Sequence, residues 1–159
     1  MGRIPIAPPL LTMLLRLLLP LLIVLLVGWG APSAALASMF HLEGPLPADL
    51  GIHGGSLSPC SSSAHCARQN WSVADPDAAV EFLASRLEAT EAIRIVERQS
   101  NYLHATATSS LFGFVDDLEL LADPVHQQVQ ARSVSRLGDS DLGVNARRLE
   151  WLSTALERD

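Results

Sequence analysis

Between residues 75 and 157 the chain reads as a helix, four strand-like runs and a second helix, with no helical stretch between one strand and the next. Parallel neighbours need a crossover of a dozen or more residues, so links this short leave antiparallel pairing as the economical solution. In "DPDAAVEFLASRLEAT" the helix start is written in: Asp75 as N-cap, Pro76 at the first helical position and Asp77 in the first turn. Val80, Leu83 and Leu87 then recur on one face, with Phe82 alongside, and that face is predicted to bury against a sheet. The strands are "IRIVERQ", "YLHATATSS", "FGFVDDLELL" and "QVQARSVSR", and "ADPVHQ" around Asp123 and Pro124 has hairpin turn chemistry. A last helix over 141–157 carries the stripe Leu149, Leu152 and Leu156, with Trp151 beside it. The fold class that follows is α+β, a four-stranded antiparallel sheet meander with two helices packed on one face.

Upstream of this block the chain changes character twice. Residues 1–37 combine Arg3 and Arg16, the apolar run "LLLPLLIVLLVGWG" and the small-residue stretch "APSAALA", with no acid. This is the pattern of a secretory signal peptide cut after Ala37. Extended back to Leu10, the apolar run also suits an uncleaved membrane anchor. On either reading the remainder is expected to be exported. Residues 38–70 are rich in Gly, Pro and Ser and show neither helical nor strand period, so they are predicted to form an irregular leader ahead of a single α+β domain over 71–159. Gly51, Gly54 and Gly55 neither follow a strand nor open a helix, which argues against a phosphate loop. In an exported chain Cys60 and Cys66 are most simply a local disulfide pinning the leader. The alternative, a metal site, would recruit His65 and His53.

Charge removes several function classes. All 17 acids follow Ala37, whereas two of the 11 arginines precede it, leaving nine arginines against 17 acids and a formal charge of −8 on the remainder. Such a surface repels nucleic acid and anionic lipid, and the few aromatic residues offer no basic patch with stacking platforms. Nucleic acid is therefore set aside as a partner, and a membrane enters only through a retained N-terminal anchor. The chain has no lysine, which excludes a Schiff base and the phosphate-binding lysine of the Walker motif. No cofactor and no resident metal is implied.

The polar chemistry gathers late in the chain. If the hairpin of the third and fourth strands turns about Pro124, Asp116 faces Arg132 and Phe114 faces Val134. Alternation puts Phe112, Phe114, Asp116, Leu118 and Leu120 on one face, so Asp116 needs a cation, and Arg132 is the predicted partner. Asp117 and Glu119 fall on the other face, expected to be solvated, and a one-residue slip exchanges these roles. Beyond the strand, "RLGDSDLGVN" turns into the last helix: Gly138 permits the turn, Ser140 or Asp141 can cap, and Asn145 can reach back to loop carbonyls. The open helix start beside Arg132, Arg136, Arg147 and Arg148 can hold an anion, or the acids nearby can already neutralise these arginines.

Other matches are weak. "GDSDL" resembles the serine motif of one lipase and esterase family, but no histidine follows His126 to serve Ser140 as base. A calcium loop starting at Asp139 would place Gly143 and Val144 where ligand and turn glycine belong and would bring Arg147 and Arg148 to the cation. "NWS" at Asn70 fits a glycosylation acceptor. His104 alternates with Thr106 and Thr108 on a strand face, as a base or, more commonly, as a surface or packing residue.

"SSLFGFVDDLEL" followed by "VQARSVSRLGDSDLGVNARRLEWL" resembles the domain of unknown function 1499 family, from about residue 101 to residue 156. The positions that carry the resemblance are Phe114, Asp116, Asp117, Glu119, Arg132, Ser133, Ser135, Arg136, Gly138, Ser140, Asp141, Gly143, Asn145 and Arg148. Upstream, the family often shows Pro-Asn-Cys where this chain reads Ala64-His65-Cys66. The resemblance implies an exported or membrane-associated bacterial protein, or a plastid one in plants, with no established activity. A signal-like start on an acidic, lysine-free chain suits a cyanobacterial thylakoid lumen or periplasm.

Two functional readings follow. In the first the domain is a non-catalytic binding or assembly module. Asp116, Asp117, Arg132, Ser133, Ser135, Arg136, Ser140, Asp141, Asn145 and Arg148 then either hold the fold or cradle a small anionic ligand, or the domain meets a protein partner. In the second it is a hydrolase-type enzyme, with Asp116 or Asp117 as base and Arg132 or Arg136 stabilising negative charge. That second reading requires the carboxylate and guanidinium to converge on a pocket open to solvent.

Overall fold

The computed structural model describes residues 42–158, so the predicted signal peptide or anchor over 1–37 lies outside the described residues. A two-residue hairpin pairs β1 (Ile52–His53) with β2 (Ser56–Leu57). Then follow β3 (Cys66–Ser72), α1 (Pro76–Glu88), β4 (Ile93–Arg98), β5 (Tyr102–Thr108), β6 (Val115–Asp123), β7 (Gln128–Ser135) and α2 (Val144–Leu156). The main sheet runs β3-β7-β6-β5-β4, with every neighbouring pair antiparallel.

The sheet therefore has five strands rather than the predicted four. The additional strand, β3, starts inside the segment read as an irregular leader and is paired with β7 from Cys66 opposite Val134 to Ser72 opposite Gln128. "CARQNWS" mixes apolar and polar residues on both of its alternating sets, so it carries no local signal. Its extended state is supplied by the long-range pairing.

Both helices start near the predicted places. Asp75 caps α1, its side chain accepting from the Ala78 N–H at 3.0 Å. Val80, Leu83, Ala84 and Leu87 of α1, with Leu149 and Leu152 of α2, close on Leu103, Ala105, Leu118, Leu120, Val129 and Ala131 of the sheet. These side chains all project from one sheet face, the period-2 alternation turning the next residue of each strand to the other.

That other face is polar and covered. Its residues include Tyr102, His104, Asp117, Glu119, Asp123, Gln130 and Arg132, all buried. Part of the cover is the segment preceding β3. The Gly51 N–H donates to Glu119 at 2.7 Å from a backbone with φ of +96°, a conformation that favours glycine. Leu57 packs with Tyr102 and Leu121, and the Cys60–Cys66 disulfide joins the loop to β3.

Candidate functional site

The geometry starts from the β6–β7 hairpin. Its register pairs Asp116 with Ser135, Asp117 with Val134 and Glu119 with Arg132. The predicted pairing of Asp116 with Arg132 does not occur. Asp123 and Gln128 close a four-residue loop in which Gln127 takes φ of +51°, so the turn is centred between Val125 and His126 rather than on Pro124. This odd-numbered slip moves Arg132 to the face opposite Asp116. The strand also begins at Val115, so Phe112 and Phe114 precede it and pack against each other half-exposed, with ring centroids 5.8 Å apart.

On the helix side, Asp116 accepts from Arg148 Nη2 at 2.8 Å. Arg148 Nη1 donates to Ser133 Oγ at 2.7 Å and to Asn145 Oδ1 at 2.6 Å. Ser133 Oγ in turn donates to Asn145 Oδ1 at 2.6 Å. The amide of Asn145 donates to Ser135 Oγ at 2.9 Å and to the carbonyl of His65 at 3.1 Å. Asn145 thus ties α2, β7 and the disulfide loop together. The N-cap position of α2 is Gly143, with φ of +78° and no side chain to cap, and Asp141, two residues earlier, accepts from the N–H groups of Gly143 and Asn145, both at 2.8 Å. Burial works to raise its pKa, but these two donors prevail and hold it below the usual carboxylate range. Ser140, the other candidate, is exposed and outside the cluster.

On the leader side, Asp117 and Glu119 were expected to be solvated and are instead sealed, each with 0% exposure. Arg136 grips Asp117 with Nε at 2.9 Å and Nη2 at 2.8 Å, while His104 Nε2 lies 2.8 Å from the same carboxylate. Burial pushes the Asp117 pKa up, but the Arg136 and His104 contacts outweigh it and leave it below the ordinary value. Arg136 itself is driven upward, first by its bond to Asp117. Glu119 accepts from Tyr102 Oη and Arg132 Nη1, both at 2.8 Å. Burial first, and then the Glu119 carboxylate, raise the Tyr102 pKa, keeping the phenol protonated. The outer ends of the two guanidiniums meet leader acids: Arg132 Nη2 donates to Asp49 at 2.7 Å and Arg136 Nη1 to Glu43 at 2.5 Å.

Arg68 adds a third cation directly opposite Arg132 across β3 and β7, and it donates to Gln130 Oε1 at 2.8 Å and Ser56 Oγ at 3.0 Å. At the far end Asp123 accepts from Gln128, His126 and Gln130, and these donors, Gln128 foremost, bring its pKa down to about 2. The disulfide occupies the two sulfurs that a metal site would have needed. Among the described residues no group of three or more His, Cys, Asp or Glu side chains is placed to hold a metal ion.

The predicted site residues therefore separate into two networks on opposite sheet faces. Asp116, Ser133, Ser135, Asn145 and Arg148 meet under α2, with Asp141 at the helix start, whereas Asp117, Arg132 and Arg136 lie beneath the leader. Glu43, Asp49, Tyr102 and the pairing role of Glu119 were missed. The available signal was the alternation of Tyr102, His104 and Thr106 on β5 with the acids of β6, which requires the register before it can be read.

An α+β sheet with one apolar face, one ionic face and a disulfide-pinned leader describes the class of this domain. Residues 56–156 match the family described as "Protein of unknown function (DUF1499)", and the chain belongs to it. Neither a curated protein nor a solved structure matches the chain. No helix among the described residues is long and apolar enough to cross a membrane.

Proposed function

We propose that the domain is a non-catalytic binding or assembly module, in which the Arg, Asp, Ser and Asn residues of the two networks hold the leader and α2 to the sheet. One observation carries this reading. Asp117, the better placed of the two candidate bases, is wholly buried with both oxygens engaged by Arg136 and one also by His104. A general base needs a lone pair within reach of the substrate, and here none faces solvent. Asp116 is likewise buried and bound to Arg148, so both candidate bases of the hydrolase alternative are paired beneath cover rather than open to a substrate.

The test is denaturant unfolding of Asp117→Ala beside wild type. Removing one partner of a buried charge pair costs about 3–5 kcal/mol, whereas a residue kept for catalysis is often removed with unchanged or raised stability. A loss of that size supports the structural role. Stability equal to or above wild type would return Asp117 to the list of catalytic candidates.

The same reading includes export. The basic, apolar and small-residue pattern of residues 1–37 motivates it, and the Cys60–Cys66 disulfide, a feature of oxidising compartments, supports it. Fractionation of the source cells decides between a periplasmic or lumenal location and a cytosolic one, and a membrane fraction would indicate a retained anchor.

A further inference from the structure

At the β4 and β5 side of the ionic face, Glu43, Arg94, Ile95, Val96, Thr106 and Arg136 surround a cleft of about 330 Å³, at the small end of the range for ligand sites. Register places Arg94 opposite Thr106 and Thr106 opposite Asp117, so these residues follow one another across three strands. The bidentate contact with Asp117 fixes the Arg136 guanidinium and leaves Nη1 directed at Glu43. Arg94 is exposed and forms no ion pair with a described residue.

Two guanidiniums and a hydroxyl around one cleft suit an oxyanion. The cleft already holds one oxyanion, the Glu43 carboxylate, on a side chain that is 52% exposed. The pair is open to water on the Glu43 side, the side from which an anion would arrive, while the Arg136 side chain is 6% exposed. The leader reaches this position only because residue 44 is glycine: a Cβ there would lie 2.7 Å from the Arg136 carbonyl oxygen. We propose that the cleft binds a small oxyanion, a carboxylate or a phosphate, which exchanges with Glu43 on Arg136 and is shared with Arg94 and Thr106. Ligand and leader then compete for one guanidinium, so occupancy loosens the segment around residue 43.

The proposal rests on reading the domain as a binding module. Turnover of a substrate would remove that reading, whereas equal anion affinity of wild type and Arg94→Ala removes this site alone. The experiment is calorimetric titration of the full chain with inorganic phosphate and, separately, with butyrate, against chloride at matched ionic strength. Saturable binding is expected for at least one, and which one responds identifies the source. Arg94→Ala should weaken it about tenfold, and Glu43→Gln should tighten it by about the same factor, the scale of one charge-assisted hydrogen bond. Gly44→Ala lifts the leader from Arg136 without altering a cation and should also tighten binding. No saturable binding in wild type or Glu43→Gln overturns the proposal, as does an Arg94→Ala affinity equal to wild type. If Glu43→Gln fails to unfold cooperatively, the exposed Arg94→Ala substitution decides alone.

Discussion

Along β5, β6 and β7 both faces of the sheet are buried, by different physics. Under the helices, Leu103, Leu118, Leu120 and Val129 meet leucines and alanines, and burial itself supplies the stabilisation. Under the leader, Asp117, Glu119, Arg132 and Gln130 are as deeply covered, yet each is tolerated only because a specific partner satisfies it. Apolar contacts survive small displacements. An ionic layer is lost when one partner goes, because the charge left behind is stranded in a poor solvent. The helix face therefore specifies packing in general terms, while the leader face specifies one arrangement of one segment.

The largest test of this contrast is Asp117→Ala, which removes the bidentate partner of Arg136 and the carboxylate beside His104 and should cost about 3–5 kcal/mol in urea unfolding. Leu120→Ala on the apolar face should cost about 2–5 kcal/mol through lost burial and a residual cavity. The faces should then part company in their response to repair. Replacing Tyr102, Glu119 and Arg132 together by Phe, Leu and Met is expected to cost less than Glu119→Leu alone, since the charge left without its partner, Asp49, is half-exposed to water whereas Glu119→Leu leaves the buried Arg132 short of one. A triple variant less stable than the single one would show that geometry, rather than charge compensation, sets the ionic face.

Acid should weaken the leader face without mutation. Asp117 and Asp123 have folded pKa values below the ordinary 3.8. Their contribution is therefore complete above the unfolded value of about 4 and is lost as pH falls through the folded values, which for Asp123 is about 2. Melting temperatures between pH 7 and pH 2 should fall in that window, and Asp123→Asn should flatten the fall. The smallest effect is expected for Asp49→Ala. Its carboxylate is half-exposed and Arg132 keeps its bond to Glu119, so equilibrium stability should drop by no more than about 1 kcal/mol. Amide exchange at Gly51 and Leu57 should nevertheless quicken as the leader loosens.

Much of the molecule was legible one residue at a time. The N-cap Asp75, the α1 stripe and the two faces of β6 follow from patterns that repeat within a few residues, and local sterics and alternation suffice to read them. That Asp116, Asp117, Arg132, Arg136 and Asn145 need polar partners was legible as well, but the single cluster expected of them is two networks on opposite faces. Their partners were not. A four-residue turn with Gln127 at positive φ set a register three places from the expected one, and this alone moved Arg132 from Asp116 to Glu119.

By itself, then, the sequence determined the α+β class, the antiparallel hairpins, both helices and the identity of the charged residues, because each is encoded by near neighbours. Only the tertiary structure decided that β3 joins the sheet, that Asp117 and Glu119 are buried rather than solvated, and that Glu43 and Asp49 reach Arg136 and Arg132 across more than 80 residues. Those outcomes depend on which surfaces meet when the chain closes, and a carboxylate looks the same in the sequence whether water or an arginine will face it.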